Sequence, residues 1–241
     1  MLDLRDKSIE YYGLNICNGH ILHDKIYYHW DGTFNSVPRE IEYLLKPFDF
    51  CIRKAEYDSS ISCFIPNMTK DKFNTLASYF SDNGIPLTND FLETFWEMYS
   101  QTNDSHYDPI VSIKYRKEKI MGIAFYISAL KDKTLMDEYL EQALDIIKEK
   151  DVPLIEQFIK RTVLSKAADV FLLSWDVSSN RPMQNKIYLK VKIKNAFFQL
   201  LSEFFPEVIR FSNVDQYRLS EIALNISNKR YNCFNLYFKP L

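Results

Sequence analysis

The segments ADVFLLSWDV (168–177) and NKIYLKVKI (185–193) decide the fold. Both are rich in β-branched and aromatic residues, and the polar residues between them are typical of a turn, so together they predict a β-hairpin. Side chains alternate between the two faces of a strand. Lys186, Tyr188 and Lys190 therefore share one face of this hairpin, and the apolar residues between them share the other.

Four more pairs of strand-like segments have the same character. They are residues 10–17 with 24–30, 48–54 with 60–66, 108–116 with 119–128, and 221–227 with 231–239. Apolar residues at helical spacing stand between most of the pairs, at 37–45, 70–80, 89–99 and 195–205 and in segments that begin at Thr134 and Pro153. The chain therefore predicts an α+β fold of about five hairpins separated by helices, in a single domain that covers residues 1–241.

Three of the hairpins share a short sequence pattern. LNICN (14–18) recurs as LNISN (224–228). Ten residues after Asn15, Asp176 and Asn225 stand KIY (25–27), KIY (186–188) and NLY (235–237), respectively. Three matches in the same register, each within a hairpin, predict a repeated structural unit.

Two arrangements of the strands fit this pattern. In the first, an antiparallel sheet has one face under helices and the other in water. In the second, about ten strands close into an antiparallel barrel with the helices outside, and a barrel of that size encloses a ligand cavity. Lysine and tyrosine recur on the polar strand faces, and lysines that face inward require an anionic ligand to offset their desolvation. The recurrence favours the barrel.

The composition excludes several classes of protein. Five glycines in 241 residues form neither G-x-G-x-x-G nor G-x-x-x-x-G-K-[ST], which argues against a Rossmann or P-loop nucleotide site. A net charge of −2 lacks the basic excess that general nucleic-acid binding requires. The charged start, MLDLRDKSIE (1–10), differs from a secretory signal, and the apolar runs are too short to span a bilayer. We therefore expect a cytoplasmic monomer that binds neither nucleic acid nor membranes.

The cysteines predict free thiols. Cys17, Cys51, Cys63 and Cys233 form no C-x-x-C pair and fall in strand-like segments, as is typical of reduced thiols in an intracellular protein. His20 and His23 have no further ligand nearby in the sequence, so we expect no metal site made of protein side chains.

The repeated hairpins, their α-β-β-α connectivity and the Lys-x-Tyr pairs resemble the ABBA aromatic prenyltransferases, whose fold is a ten-stranded antiparallel barrel ringed by helices. Within that group the chain resembles the prenyltransferases of cyanobactin-type cyclic peptides. FLLSWDV (171–177) is similar to that family's hydrophobic-Gly-hydrophobic-Asp strand, with Ser174 in place of the glycine. FDFCIR (48–53) is similar to its first catalytic strand.

The resemblance implies transfer of a dimethylallyl or related isoprenyl group from its diphosphate to a nucleophilic side chain of a peptide natural product. It implies that Asp49 is catalytic. Diphosphate binding is implied for Lys25, Arg53, Lys114, Lys186 and Lys190, and shielding of the prenyl cation for Tyr27, Tyr126, Tyr188 and Tyr237. It further implies a prenyl diphosphate co-substrate, assistance by Mg²⁺, and a peptide or small aromatic acceptor.

Two features depart from the family. The hairpin most similar to the family's last one, residues 13–30, stands near the N-terminus here, which implies a circular permutation. A closed barrel accepts such a change because its first and last strands are neighbours. Cys63 stands where the resemblance implies an arginine of the diphosphate site.

Two alternative functions stay open. The same fold could prenylate a small indole or phenol, or a non-catalytic barrel could bind an anionic or peptide partner. A mass increase of one isoprenyl unit on incubation with dimethylallyl diphosphate and peptides separates these alternatives.

Overall fold

The computed structural model describes residues 9–30, 52–55, 59–64, 69–101, 110–116, 119–128, 140–141, 144–145, 147, 153–179, 181–211, 216–226 and 233–241. Its strands are β1 (Ile9–Cys17), β2 (His20–Trp30), β3 (Ile52–Ala55), β4 (Ser59–Phe64), β5 (Ile110–Arg116), β6 (Lys119–Ser128), β7 (Ala168–Ser178), β8 (Arg181–Val191), β9 (Tyr217–Asn225) and β10 (Cys233–Pro240). Its helices are α1 (Lys70–Asp82), α2 (Asn89–Gln101), α3 (Pro153–Leu164), α4 (Lys194–Phe204) and α5 (Pro206–Ile209).

The predicted mixture of helices and antiparallel strands is confirmed. Antiparallel registers join β2 to β3, β3 to β4, β4 to β5 and β5 to β6. Antiparallel registers also join β8 to β9, β9 to β10 and β10 to β1. The helix expected at 37–45 and the candidate residue Asp49 lie outside the described residues.

The chain divides into two compact units. Unit 1 comprises Met1–Ser8, Tyr27–Ser128 and Trp175–Met183, and unit 2 comprises Ile9–Ile26, Ala129–Ser174 and Gln184–Leu241. Strands β2, β7 and β8 each contribute residues to both units. The organisation as a single domain stays a prediction.

Aromatic packing holds the helices of unit 1 on its sheet. Phe125 of β6 contacts Phe73 of α1 and Phe95 of α2, with ring centroids 5.8 and 5.3 Å apart. Trp175 of β7 meets Phe95 edge-on at 5.6 Å. Gly122 lets β6 approach β7 closely, because a Cβ there would lie 2.6 Å from the carbonyl oxygen of Val177.

Unit 2 has the same plan, with α3 and α4 over the apolar face of the β8–β9–β10–β1 ladder. Phe205, which follows α4, packs edge-on against Phe234 of β10 at 4.8 Å and against Phe158 of α3 at 5.2 Å. Ile187 and Leu236 on the same apolar face are fully buried. Period-two alternation then puts the polar residues of these strands on the opposite face.

Candidate functional site

The polar face of the β8–β9–β10–β1 ladder in unit 2 carries the chemistry, and we call it the lysine–tyrosine face. Its residues form three rows across the strands, in the order β8, β9, β10, β1. The rows are Lys190–Glu221–Tyr237–Gly13, Tyr188–Ala223–Asn235–Asn15 and Lys186–Asn225–Cys233–Cys17. Neighbouring strands lie about 4.8 Å apart, so each row spans roughly 14 Å.

Aromatic rings form a continuous row on this face. Tyr188 stacks with Tyr237 at a centroid distance of 6.1 Å, and Tyr11 of β1 meets Tyr237 edge-on at 6.4 Å. Phe171 of β7 extends the row on the other side, edge-on to Tyr188 at 6.2 Å. Tyr188 is buried, with 6% of its surface exposed. The row presents π-faces and ring edges beside the lysines of β8.

Charged groups border the aromatic row. The ammonium of Lys239 lies 5.0 Å from the centroid of the Tyr11 ring, a cation–π contact. The hydroxyl of Tyr11 donates a hydrogen bond to Oε1 of Glu221 over 3.0 Å. Glu221 is the register partner of both Lys190 and Tyr237, so a carboxylate stands between a lysine and the ring row. Lys186 and Lys190 are half-buried.

The β1–β10 side of the face carries an asparagine pair and a disulfide. Asn15 donates a side-chain hydrogen bond to Asn235, its register partner. Next to this pair, Cys17 and Cys233 form a disulfide between strands separated by 216 positions in the sequence. The prediction of free thiols was therefore wrong for these two cysteines, because the register brings them face to face. The side chains of Cys51 and Cys63 lie outside the described part.

Four of the predicted site residues lie together on this face: Lys186, Lys190, Tyr188 and Tyr237. Tyr126 belongs to unit 1, where period-two alternation puts it on the face opposite Phe125. Lys25, Tyr27, Arg53 and Lys114 lie in described strands, but their side chains fall outside the described residues. The contribution of these four, like that of Asp49, stays a prediction.

Sequence reasoning missed Tyr11 and Glu221. A signal for Glu221 existed, because Glu221, Ala223 and Asn225 alternate with the apolar residues of β9. Tyr11 stands four residues before Asn15 in β1, and residues separated by an even number of positions in a strand lie on the same face, so alternation also predicts that these two side chains share a face. The contact between Tyr11 and Glu221 had no such signal, since β1 and β9 both pair with β10 and are not adjacent.

Asp176, in the strand that resembles the family motif, is a buried acid of unit 1. Only 5% of its surface is exposed. Trp175 packs against Phe95, so alternation places Asp176 on the face away from α2.

No protein-family model and no curated protein matches the chain. In the part of the chain that the structure describes, no helix has the length and apolarity that a bilayer crossing requires. Among the same residues, no three His, Cys, Asp or Glu side chains are grouped as a metal site.

Proposed function

We propose that the chain forms a ten-stranded antiparallel barrel, and that the lysine–tyrosine face binds a prenyl diphosphate inside it. The prenyl group is then transferred to a peptide or small aromatic acceptor. The observation that carries this proposal is the row of stacked and edge-on rings, Tyr188, Tyr237 and Tyr11, on the same face as Lys186 and Lys190.

The two kinds of side chain match the two ends of a prenyl diphosphate. Ammonium groups donate charge-assisted hydrogen bonds that strengthen as negative charge accumulates on the leaving diphosphate. Aromatic faces stabilise a neighbouring cation by about 0.5–2 kcal/mol each. Lys186 and Lys190 flank Tyr188 on β8, so one strand supplies both ammonium groups for the diphosphate and an aromatic ring for the cation.

The bond between the allylic carbon and the diphosphate oxygen breaks, and its electron pair leaves with the diphosphate. The acceptor's nucleophile then bonds to the allylic carbon, and its proton passes to a carboxylate, for which Asp49 stays the candidate. The buried rings exclude water that would otherwise capture the cation.

Mg²⁺ would bind mainly through the diphosphate oxygens in this scheme. Mg²⁺ commonly takes one or two protein carboxylates together with substrate phosphates and water. Glu221, beside Lys190 on the lysine–tyrosine face, is a carboxylate in position to contribute. When bound, the ion would supply further neutralisation of the leaving group.

Turnover of dimethylallyl diphosphate with a mixture of aromatic peptides, followed by mass spectrometry, tests the proposal. We expect a gain of one isoprenyl unit, and a loss of at least about tenfold in rate for Lys186→Ala, which is the scale of one charge-assisted contact. Lys160→Ala is the matched control, because Lys160 forms an exposed pair with Glu156 on α3. Absence of turnover with C5 to C15 donors, together with no thermal shift on adding pyrophosphate, would refute the proposed prenyl-transfer activity.

A further inference from the structure

The disulfide between Cys17 and Cys233 lies on the lysine–tyrosine face and not in the apolar core. Both cysteines are partly exposed, so an attacking thiolate can reach a sulfur atom. They occupy the same row of the face as Asn225 and Lys186. Accessible cystines are the ones that exchange with thiols most readily.

The register around the disulfide does not depend on it. Six residue pairs join β1 to β10, from Tyr12 opposite Phe238 to Cys17 opposite Cys233. Leu14 and Leu236 in this register are buried on the apolar face of the ladder. Hydrogen bonds and apolar packing therefore hold the two cysteines opposite each other even when the bond between the sulfur atoms is open.

The contacts next to the disulfide belong to the candidate site. The Asn15–Asn235 hydrogen bond is in the adjacent row, and the Tyr11–Tyr237 contact is farther along the same two strands. Each of these contacts joins β1 to β10, as the disulfide does. The disulfide and these contacts therefore share one strand pair.

We propose that Cys17–Cys233 is a reversible thiol–disulfide exchange site whose substrates are dithiols, and that its redox state alters the β1–β10 side of the lysine–tyrosine face. A dithiol gives two electrons and two protons: its own sulfurs become a disulfide, and Cys17 and Cys233 become two thiols. Oxidation by a small disulfide reverses the same steps. Because β1 and β10 stay paired, both directions proceed without global unfolding.

The first test measures exchange in the full-length protein with dithiothreitol and its oxidised form as probes. Peptide mapping after alkylation follows Cys17 and Cys233 separately from the other two cysteines. We expect complete reduction in the folded protein, complete reoxidation to the same pair, and a melting temperature about 10 °C lower for the reduced form, because the cross-link closes a very long loop. The Cys17→Ser/Cys233→Ser variant should melt at the same temperature with and without dithiothreitol.

The second test uses NMR of side-chain amides to follow the face. Reduction should shift the Asn15 and Asn235 amide resonances, while that of Asn74, an exposed residue of α1, stays in place. Alkylation of both Cys17 and Cys233 in protein purified without reductant would overturn the proposal. So would reduction that unfolds the chain, scrambled pairing on reoxidation, or unchanged Asn15 and Asn235 resonances. None of these measurements depends on prenyl transfer.

Discussion

The hydroxyl of Thr162 is an unsatisfied polar group in the core of unit 2. Thr162 is fully buried in α3, and its Oγ1 has no hydrogen-bond partner in the described part of the chain. A buried donor without a partner loses its hydration and gains nothing in return. Thr162→Val keeps the side-chain shape and removes the hydroxyl, so we expect the free energy of unfolding to rise by about 1 kcal/mol in urea titrations.

Thr75→Val in α1 is the matched control for this substitution. The Thr75 hydroxyl is exposed and donates to the carbonyl oxygen of Asp71 over 2.8 Å. Its removal should leave stability unchanged or lower it by up to about 0.5 kcal/mol. A decrease in stability for Thr162→Val would show that the buried hydroxyl has a partner.

Tyr12 gives the protein a specific sensitivity to alkaline pH. Burial raises the pKa of the Tyr12 hydroxyl above its ordinary value of 10.0, and the nearby negative charge of Asp24 and the 3.3 Å hydrogen bond to it raise it further. The folded protein therefore favours the neutral phenol more than the unfolded chain does. The resulting stabilisation is present below pH 10 and is lost as the pH rises through the folded-state pKa.

Melting temperatures between pH 8 and pH 11 test this effect. We expect the wild-type protein to lose stability above pH 10 more steeply than Tyr12→Phe, which has no phenol to ionise at this position. Below pH 9 the two melting curves should shift in parallel. Equal slopes for both proteins above pH 10 would contradict the raised pKa.

The site residues show what period-two alternation can and cannot predict. Alternation is a property of one strand, and it correctly put Lys186, Tyr188 and Lys190 on one face. The Cys17–Cys233 disulfide depends on which strand lies next to β1 and on the register between them. A closed barrel predicts that the first and last strands are neighbours, but no local pattern gives the register that pairs two cysteines across 216 positions.

At the scale of elements, α1 and α3 end in the same way with different residues. The amide of Ile85 donates to the carbonyl of Phe80, and that of Gly84 to Ser81. After α3, Ala167 donates to Thr162 and Lys166 to Val163. Both are Schellman motifs, in which the residue after the helix takes a left-handed conformation. Gly84 has a φ of 80°, and Lys166 has a φ of 56°.

Two substitutions at these helix ends should have opposite effects on the stability of the protein. Lys166→Gly removes the steric cost of a side chain at positive φ, and we expect it to stabilise the protein by about 0.5–1 kcal/mol. Gly84→Ala introduces that cost and should destabilise it by about 1 kcal/mol, since no other atom would obstruct its Cβ. Urea unfolding measures both, and a destabilised Lys166→Gly protein would contradict the argument.

Most boundaries of the described elements were predicted to within two residues, and larger differences occur at the starts of β2, β8 and β9. The sequence predicts the ninth strand from residue 221, whereas β9 begins at Tyr217. A register shift opposite Tyr237 and Phe238 places Leu219 and Glu221 against consecutive residues of β10, which interrupts the alternation there. Similarly, β8 begins at Arg181 because Pro182, a turn signal in the sequence, is tolerated near the start of a strand.

At the scale of the molecule, the predicted circular permutation requires that the first and last strands of the chain are neighbours in the sheet. In unit 2, Tyr12 lies opposite Phe238, so the start of β1 and the end of β10 are at the same end of their ladder. A flexible linker from the end of β10 to the start of β1 can therefore join them, with new termini cut between Asn18 and Gly19 in the turn between β1 and β2. We expect this permutant to fold with a melting temperature within about 10 °C of the wild type.

A second permutant carries the same linker but is cut between Ala223 and Leu224, in the middle of β9. It distinguishes the effect of where the chain is cut from the effect of the linker itself. Both residues are buried, and the cut divides a strand that pairs with β8 and β10. This permutant should lose cooperative unfolding in circular dichroism. If the chain tolerates the cut in β9 but not the cut at the turn, the adjacency of β1 and β10 does not determine the fold. If the chain instead tolerates the cut at the turn but not the cut in β9, the hairpins can change their order along the chain while they keep their order in the sheet. A permuted barrel requires this property.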